Sequence, residues 1–203
     1  MNIDALKAHY NKQKPMIEKR LKDFTNLSPS QQFHEFLFCT LTPQSNAHRC
    51  WEAVQQIILL QKMSKQELVR ILSKKTRFHN NKASYILHNI QIWPEIQKNL
   101  NNSDRKTLRN FLAENIKGYC LKESGHFLRN IGKSDNQIAI LDRHILRNLT
   151  DLGVISADEI NIKNKAHYFS IENKFISFSN TIKIQIDHLD LAFWSHETGE
   201  IFK

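Results

Sequence analysis

Residues 116–147 read IKGYCLKESGHFLRNIGKSDNQIAILDRHILR, and the helical organisation of the chain is clearest there. Asn115 closes one helical pattern, and Gly118 supplies a tight turn. A second helix is expected over residues 121–131, with Ser124, Phe127, Leu128 and Ile131 on its buried stripe. Lys122, His126 and Arg129 follow i, i+4, i+7 spacing and share another, polar face. The region 112–131 therefore reads as helix, short hairpin, helix. In such a hairpin the backbone N–H groups near the second helix's N-terminus can hold a phosphate. A loop over 132–137 leads to the apolar run IAIL. Asp142 follows, just before the stripe Ile145, Leu146 and Leu149, where it is placed to cap a helix that favours its ionised form. The segment thus offers an amine on a helix face and a fixed carboxylate twenty residues later, with His126, Arg129, Arg143 and Arg147 around them.

Outward from this centre the periodicity remains helical. An N-terminal helix is expected over 3–24, set off by residues 25–29. Residues 31–41 carry Phe33, Phe36, Leu37 and Phe38, and residues 47–60 carry Trp51, Val54, Ile57 and Ile58 on one side. Ser64 with Glu67 reads as a capping box opening a helix over 65–72. Residues 82–92 place Ala83, Ile86, Leu87 and Ile90 on one stripe. Ser103 or Asp104 can start a helix over 105–115. Helices return over 165–177 and 181–194, the latter with Ile182, Ile186, Leu189 and Phe193 inward and Trp194 beside Asp187 and Asp190. No stretch alternates long enough to claim a sheet, so the expected fold class is all-α. With no linker of Pro, Gly or Ser and no repeat, 1–203 reads as a single unit whose terminal segments pack together as one lobe.

The 203 residues include 29 Lys+Arg against 20 Asp+Glu, a formal net charge of +9. That balance suits an anionic partner. With 40% hydrophobic residues, 5 Gly and 4 Pro, the chain is neither disordered nor collagen-like. No run approaches the ~20 apolar residues of a membrane span. The polar start MNIDALKAHYNKQKPMIEKR lacks an apolar signal core, so an intracellular location is expected, cytoplasmic or nucleoid-associated. Three widely spaced cysteines, Cys39, Cys50 and Cys120, argue against a disulfide framework or a zinc ribbon and read as buried thiols. No metal and no cofactor are expected, no membrane partner, and a monomer is the default.

Five segments in order resemble the helix-hairpin-helix DNA glycosylases, and within them the type 2 8-oxoguanine DNA glycosylase/lyases. They are FCTLTPQSNAHRCWEAV (38–54), RFHNNKASYI (77–86), KESGHFLRNIG (122–132), AILDRHILR (139–147) and LDLAFWSHETGEIFK (189–203). The resemblance implies two helical lobes with the active site in the cleft between them. It implies a bifunctional repair enzyme that excises 8-oxoguanine from double-stranded DNA and cuts 3′ to the abasic site by β-elimination through a lysine Schiff base. Lys122 matches the nucleophile, although a solvated lysine is the plain alternative. Asp142 matches the aspartate that assists proton transfer and stabilises developing charge, beside its local role as N-cap.

The resemblance also implies a base-binding set of Phe78, Trp194, Asp190 and Lys203. Aromatic faces suit a base taken out of the stack. A core phenylalanine and a frayed terminus are the ordinary readings of Phe78 and Lys203. DNA contacts are implied for Gly118, Cys120, Gln44, Asn46, His126, Arg129 and Arg147, with Ser45 or Asn46 equally suited to cap a helix. The family's hairpin carries a second glycine where this chain has Cys120, and Ser124-Gly125 stands where Ala-Ser is expected. A cysteine tolerates left-handed backbone poorly. These departures leave open a related abasic-site lyase, a glycosylase for another lesion, or a non-catalytic DNA-binding protein with a degraded hairpin.

Overall fold

Asn2 opens the chain's first helix by accepting a hydrogen bond from the Ala5 amide. That helix, α1 (Ile3–Thr25), is followed in this computed structural model by α2 (Pro29–Leu41), α3 (Ala47–Ile57), α4 (Lys65–Leu72) and α5 (His79–Asn99). Next come α6 (Arg105–Asn115), α7 (Leu121–Asn130), α8 (Arg143–Asp151), α9 (Lys165–Ile182) and α10 (Ile186–Thr198). The structure describes residues 1–102 and 104–203, and among them every regular element is a helix, as the periodicity predicts. Ser103, one of two caps expected for α6, lies outside the described residues. Asp104 does cap α6, accepting from the Thr107 amide.

Local capping explains most boundaries. Ser28 and Gln31 form a capping box at α2, and Ser64 and Glu67 form the one expected at α4. Pro29 therefore sits inside α2 at its first position, where its missing N–H is harmless, and not in the separating loop. Two differences have clear causes. Helix α5 starts at His79 and runs through Pro94 to Asn99, beyond the expected 82–92. Pro94 removes one helical bond, but Ile96 and Leu100 beyond it are 1% and 2% exposed, and their burial offsets the loss. The break between α9 and α10 falls at Lys183, whose φ of 58° ends α9, so Ile182 belongs to α9.

The chain divides into two compact units, residues 27–131 and residues 1–26 with 132–203. The first is centred on an aromatic cluster: Phe36 lies within 6 Å of Trp93, Tyr119 and Phe127 by ring centroid. In it α7 packs against α2 and α6. The second packs α1 against α10, with His9 bonded to Ser195 at 2.8 Å and Tyr10 to His188 at 3.1 Å. No helix among the described residues is long and apolar enough to cross a membrane.

Candidate functional site

The hairpin that opens α7 turns at Gly118, as the sequence predicts, and is held by Asn89 and Tyr119, which the sequence pattern did not single out. Gly118 turns the chain with φ of 87°, and a Cβ there would lie 2.7 Å from Tyr85 Cδ2. Asn89, fully buried, donates to the Lys117 carbonyl at 2.9 Å and accepts from its amide at 3.0 Å. The Tyr119 hydroxyl donates to the Phe36 carbonyl at 2.8 Å. The left-handed turn is therefore fixed at Gly118. Cys120, by contrast, has φ of −122°, an extended conformation open to any residue. The backbone penalty expected for a cysteine here does not arise.

Cys120 is not a buried thiol but an exposed one, and it caps α7 with Glu123. Glu123 Oε2 accepts from the Cys120 thiol at 2.6 Å and from its amide at 3.3 Å. Desolvation and the Glu123 carboxylate push the thiol's pKa up, so it remains a neutral donor. The other oxygen, Oε1, lies 2.6 Å from Lys122 Nζ. Burial would push the Glu123 carboxyl up, but the Lys122 charge and the thiol hold it below the ordinary carboxylate range. Lys122 thus sits in the first turn of α7 at 24% exposure, its ammonium against a carboxylate that the sequence reading overlooked. A Lys-Glu pair adjacent in a helix gave no signal of its own.

The rest of the α7 face differs from expectation. Arg129 is buried, and His126 is half-buried with its ring edge-on to Phe38 at 5.7 Å. The face read as polar is covered beyond Lys122, because α7 packs against both α2 and α6.

A second group in this unit surrounds the turn after α2. Asn46 caps α3, accepting from the Arg49 amide at 3.1 Å, while Gln44 is exposed with φ of 54°. Phe78 is 52% exposed with φ of 56°, immediately before α5. Behind them Lys82 is 3% exposed and donates to the Leu41 and Pro43 carbonyls and the Ser45 hydroxyl. Burial lowers the Lys82 pKa to about 8. Lys82, Phe78, Tyr85 and Gly118 line a pocket of about 180 Å³.

In the other unit Asp142 caps α8 as expected, one oxygen accepting from the His144 and Ile145 amides at 2.8 Å each. Glu197 gathers Arg147 at 3.3 Å and His144 at 3.5 Å. Trp194 is half-buried, edge-on to His144 at 5.3 Å, and its buried indole N–H has no hydrogen-bond partner among the described residues. Asp187 and Asp190 are each 8% exposed, so the helix face read as polar is closed to water. Asp187 accepts from the Ser134 hydroxyl. Lys203 is half-buried at the chain end. Among the described residues no three His, Cys, Asp or Glu side chains converge as metal ligands.

Residues 17–184 match the model of the family described as 8-oxoguanine DNA glycosylase. An 8-oxoguanine DNA glycosylase/AP lyase of Fusobacterium nucleatum is 37% identical, covering 96% of this chain and 94% of the relative. The crystal structure of the Thermotoga maritima 8-oxoguanine DNA glycosylase superposes with a TM-score of 0.89 at 28% identity, over 98% of this chain and 97% of that one. The Methanocaldococcus jannaschii 8-oxoguanine glycosylase/lyase, crystallised with a 15mer DNA containing 8-oxoguanine, superposes with a TM-score of 0.83 at 30% identity, over 99% of this chain and 100% of that one.

Proposed function

The chain belongs to the 8-oxoguanine DNA glycosylase family, and from that premise we propose how its own residues carry the reaction. It is a DNA glycosylase with AP-lyase activity that acts on 8-oxoguanine in DNA. The neutral Lys122 amine attacks C1′ of the damaged nucleotide and displaces the base as an anion, leaving the new C1′–N amine with one surplus proton. The Asp142 carboxylate stabilises positive charge on the sugar as the base departs, then takes the surplus amine proton and passes it to the base; the C1′–O4′ bond breaks, O4′ takes the remaining N–H proton, and the Schiff base forms. The Schiff base then loses a C2′ proton, and β-elimination cuts the strand on the 3′ side. These steps draw on no metal or cofactor, and a monomer suffices. A DNA substrate implies an intracellular location.

Phe78 and Trp194 grip the extruded base, since aromatic faces replace the stacking it loses. The unsatisfied Trp194 N–H, Asp190 and the Lys203 terminus are the polar groups that recognise it. Gly118 is the better hairpin donor to phosphate, because the Cys120 amide is already engaged by Glu123. Gln44, Asn46, His126 and Arg147 complete the assigned DNA contacts, Arg147 being the more exposed of the two basic residues at 51%; Arg129, at 3% exposure, stays inside the unit and is not among them. Positive charge on this surface makes binding weaken steeply with salt.

The observation that carries the reading is Lys122 itself: a shielded amine in the first turn after a glycine hairpin, held by a buried carboxylate. The test is strand incision on an 8-oxoguanine duplex beside an abasic duplex, with wild type and Lys122→Ala. Wild type cuts both, and the variant cuts neither while still binding. Wild type cutting only the abasic duplex overturns the 8-oxoguanine assignment. An active Lys122→Ala overturns the nucleophile.

A further inference from the structure

Lys82 is a buried cation that the reaction above does not use. Its three donors are all taken: the Leu41 carbonyl at 2.7 Å, the Pro43 carbonyl at 2.9 Å and the Ser45 hydroxyl at 2.8 Å. These acceptors lie 37 to 41 residues away in sequence, so the contact is wholly tertiary. Leu41 is the last residue of α2, whose terminal carbonyls lack helical partners and form the negative end of its dipole. Lys82 satisfies that end from across the unit. Burying a cation is unfavourable, and an apolar residue would fill the space at lower cost unless the donors are needed.

The needed donors define one turn. Ser45 Oγ, besides accepting from Lys82, accepts from the Arg77 amide at 3.0 Å, so the same ammonium ties residues 41–45 to the segment that leads into Phe78. Between the anchored carbonyls and the anchored hydroxyl stands Gln44, exposed and in the left-handed region with φ of 54°. That conformation is unfavourable for a glutamine and persists only where its surroundings enforce it. Here the flanking Pro43 and Ser45 are both bonded to Lys82.

We propose that Lys82 is a positioning residue for DNA binding: its ammonium locks the turn after α2 so that Gln44 is presented to the duplex. This rests on the assignment of Gln44 as a DNA contact. Lys82 touches neither substrate nor reacting atoms. It acts through Gln44, and its loss leaves the amide present but misplaced.

Binding to an 8-oxoguanine duplex, read by fluorescence anisotropy at fixed salt, tests this with Lys82→Met, Lys82→Arg, Gln44→Ala and the Lys82→Met/Gln44→Ala double variant. Lys82→Met and Gln44→Ala are each expected to weaken binding about tenfold, and the double variant no more than the weaker single. Lys82→Arg, which keeps the charge and the donors, is expected to recover most of the affinity. A double loss equal to the product of the single losses overturns the proposal, as does wild-type binding by Lys82→Met. Wild-type binding by Gln44→Ala instead removes the Gln44 contact and, with it, this inference. Thermal melting accompanies each variant. Should Lys82→Met not fold, Ser45→Ala, which removes the hydroxyl that ties the turn to Lys82 and to the Arg77 amide, carries the same cycle with Gln44→Ala.

Discussion

Replacing Glu123 with glutamine removes a negative charge beside Lys122 with little change of shape. Glu123 Oε1 lies 2.6 Å from Lys122 Nζ, and the two side chains are only 5% and 24% exposed. At an effective dielectric of about 20, that separation gives a Coulomb attraction of about 6 kcal/mol as a ceiling. Water around the partly exposed ammonium reduces it to about 1.5 kcal/mol, the low end for a hydrogen bond to a charged group. The attraction favours the ammonium, which cannot attack a sugar. Glu123→Gln is therefore expected to capture an abasic site about tenfold faster than wild type near neutral and mildly acidic pH. The advantage shrinks towards parity in alkali, where the wild-type amine is already neutral. Single-turnover borohydride trapping on an abasic duplex, run across a pH series, reads the shift. A profile that superimposes on wild type, or moves to higher pH, refutes the reasoning.

Three further outcomes follow from the same geometry. Asp142→Asn keeps the α8 cap and should leave the melting temperature nearly unchanged while losing excision; Asp142→Ala should lose excision and also about 1 kcal/mol of stability. Urea titrations paired with excision assays separate the two effects. The Glu123 carboxyl is held below its ordinary 4.5, so its contribution to stability is present above that value and disappears as pH falls through the folded pKa. Glu123→Gln should therefore show a shallower loss of stability below pH 4.5 than wild type, as measured by denaturant midpoints. Gly118→Ala forces a Cβ to 2.7 Å from Tyr85 Cδ2 at φ of 87°. It should cost upwards of about 1 kcal/mol and weaken duplex binding; a variant as stable as wild type would show that the turn can relax.

Helix α4 matches its expected span because both of its ends carry local signals, the Ser64–Glu67 box and the last apolar residue of its stripe. Helix α6 likewise follows from Asp104 and its stripe. What local pattern missed depends on tertiary packing. Helix α5 outruns the apolar stripe read over 82–92, because burial beyond Pro94 extends it. The Asp187 and Asp190 face reads as solvated, but both residues are buried, and Asp187 meets Ser134 from 53 positions away. Lys82, Asn89 and Glu123 look like ordinary polar residues on helices. Their significance lies in partners: a turn behind α2, the hairpin at Lys117, and the ammonium of Lys122. The Cys120 substitution is the reverse case. The resemblance to the family's hairpin marks it as a departure, whereas within this hairpin the left-handed geometry falls at Gly118 and the thiol serves as a cap.

The central claim is that the Lys122 amine becomes covalently joined to the sugar. Its most direct test is mass-spectrometric mapping of the adduct trapped by borohydride on an 8-oxoguanine duplex. A deoxyribose-derived mass on the peptide containing Lys122, and no adduct from Lys122→Ala, is the predicted result. An adduct on another residue, on Lys82 or the N-terminal amine for example, or undiminished trapping by Lys122→Ala, would contradict it.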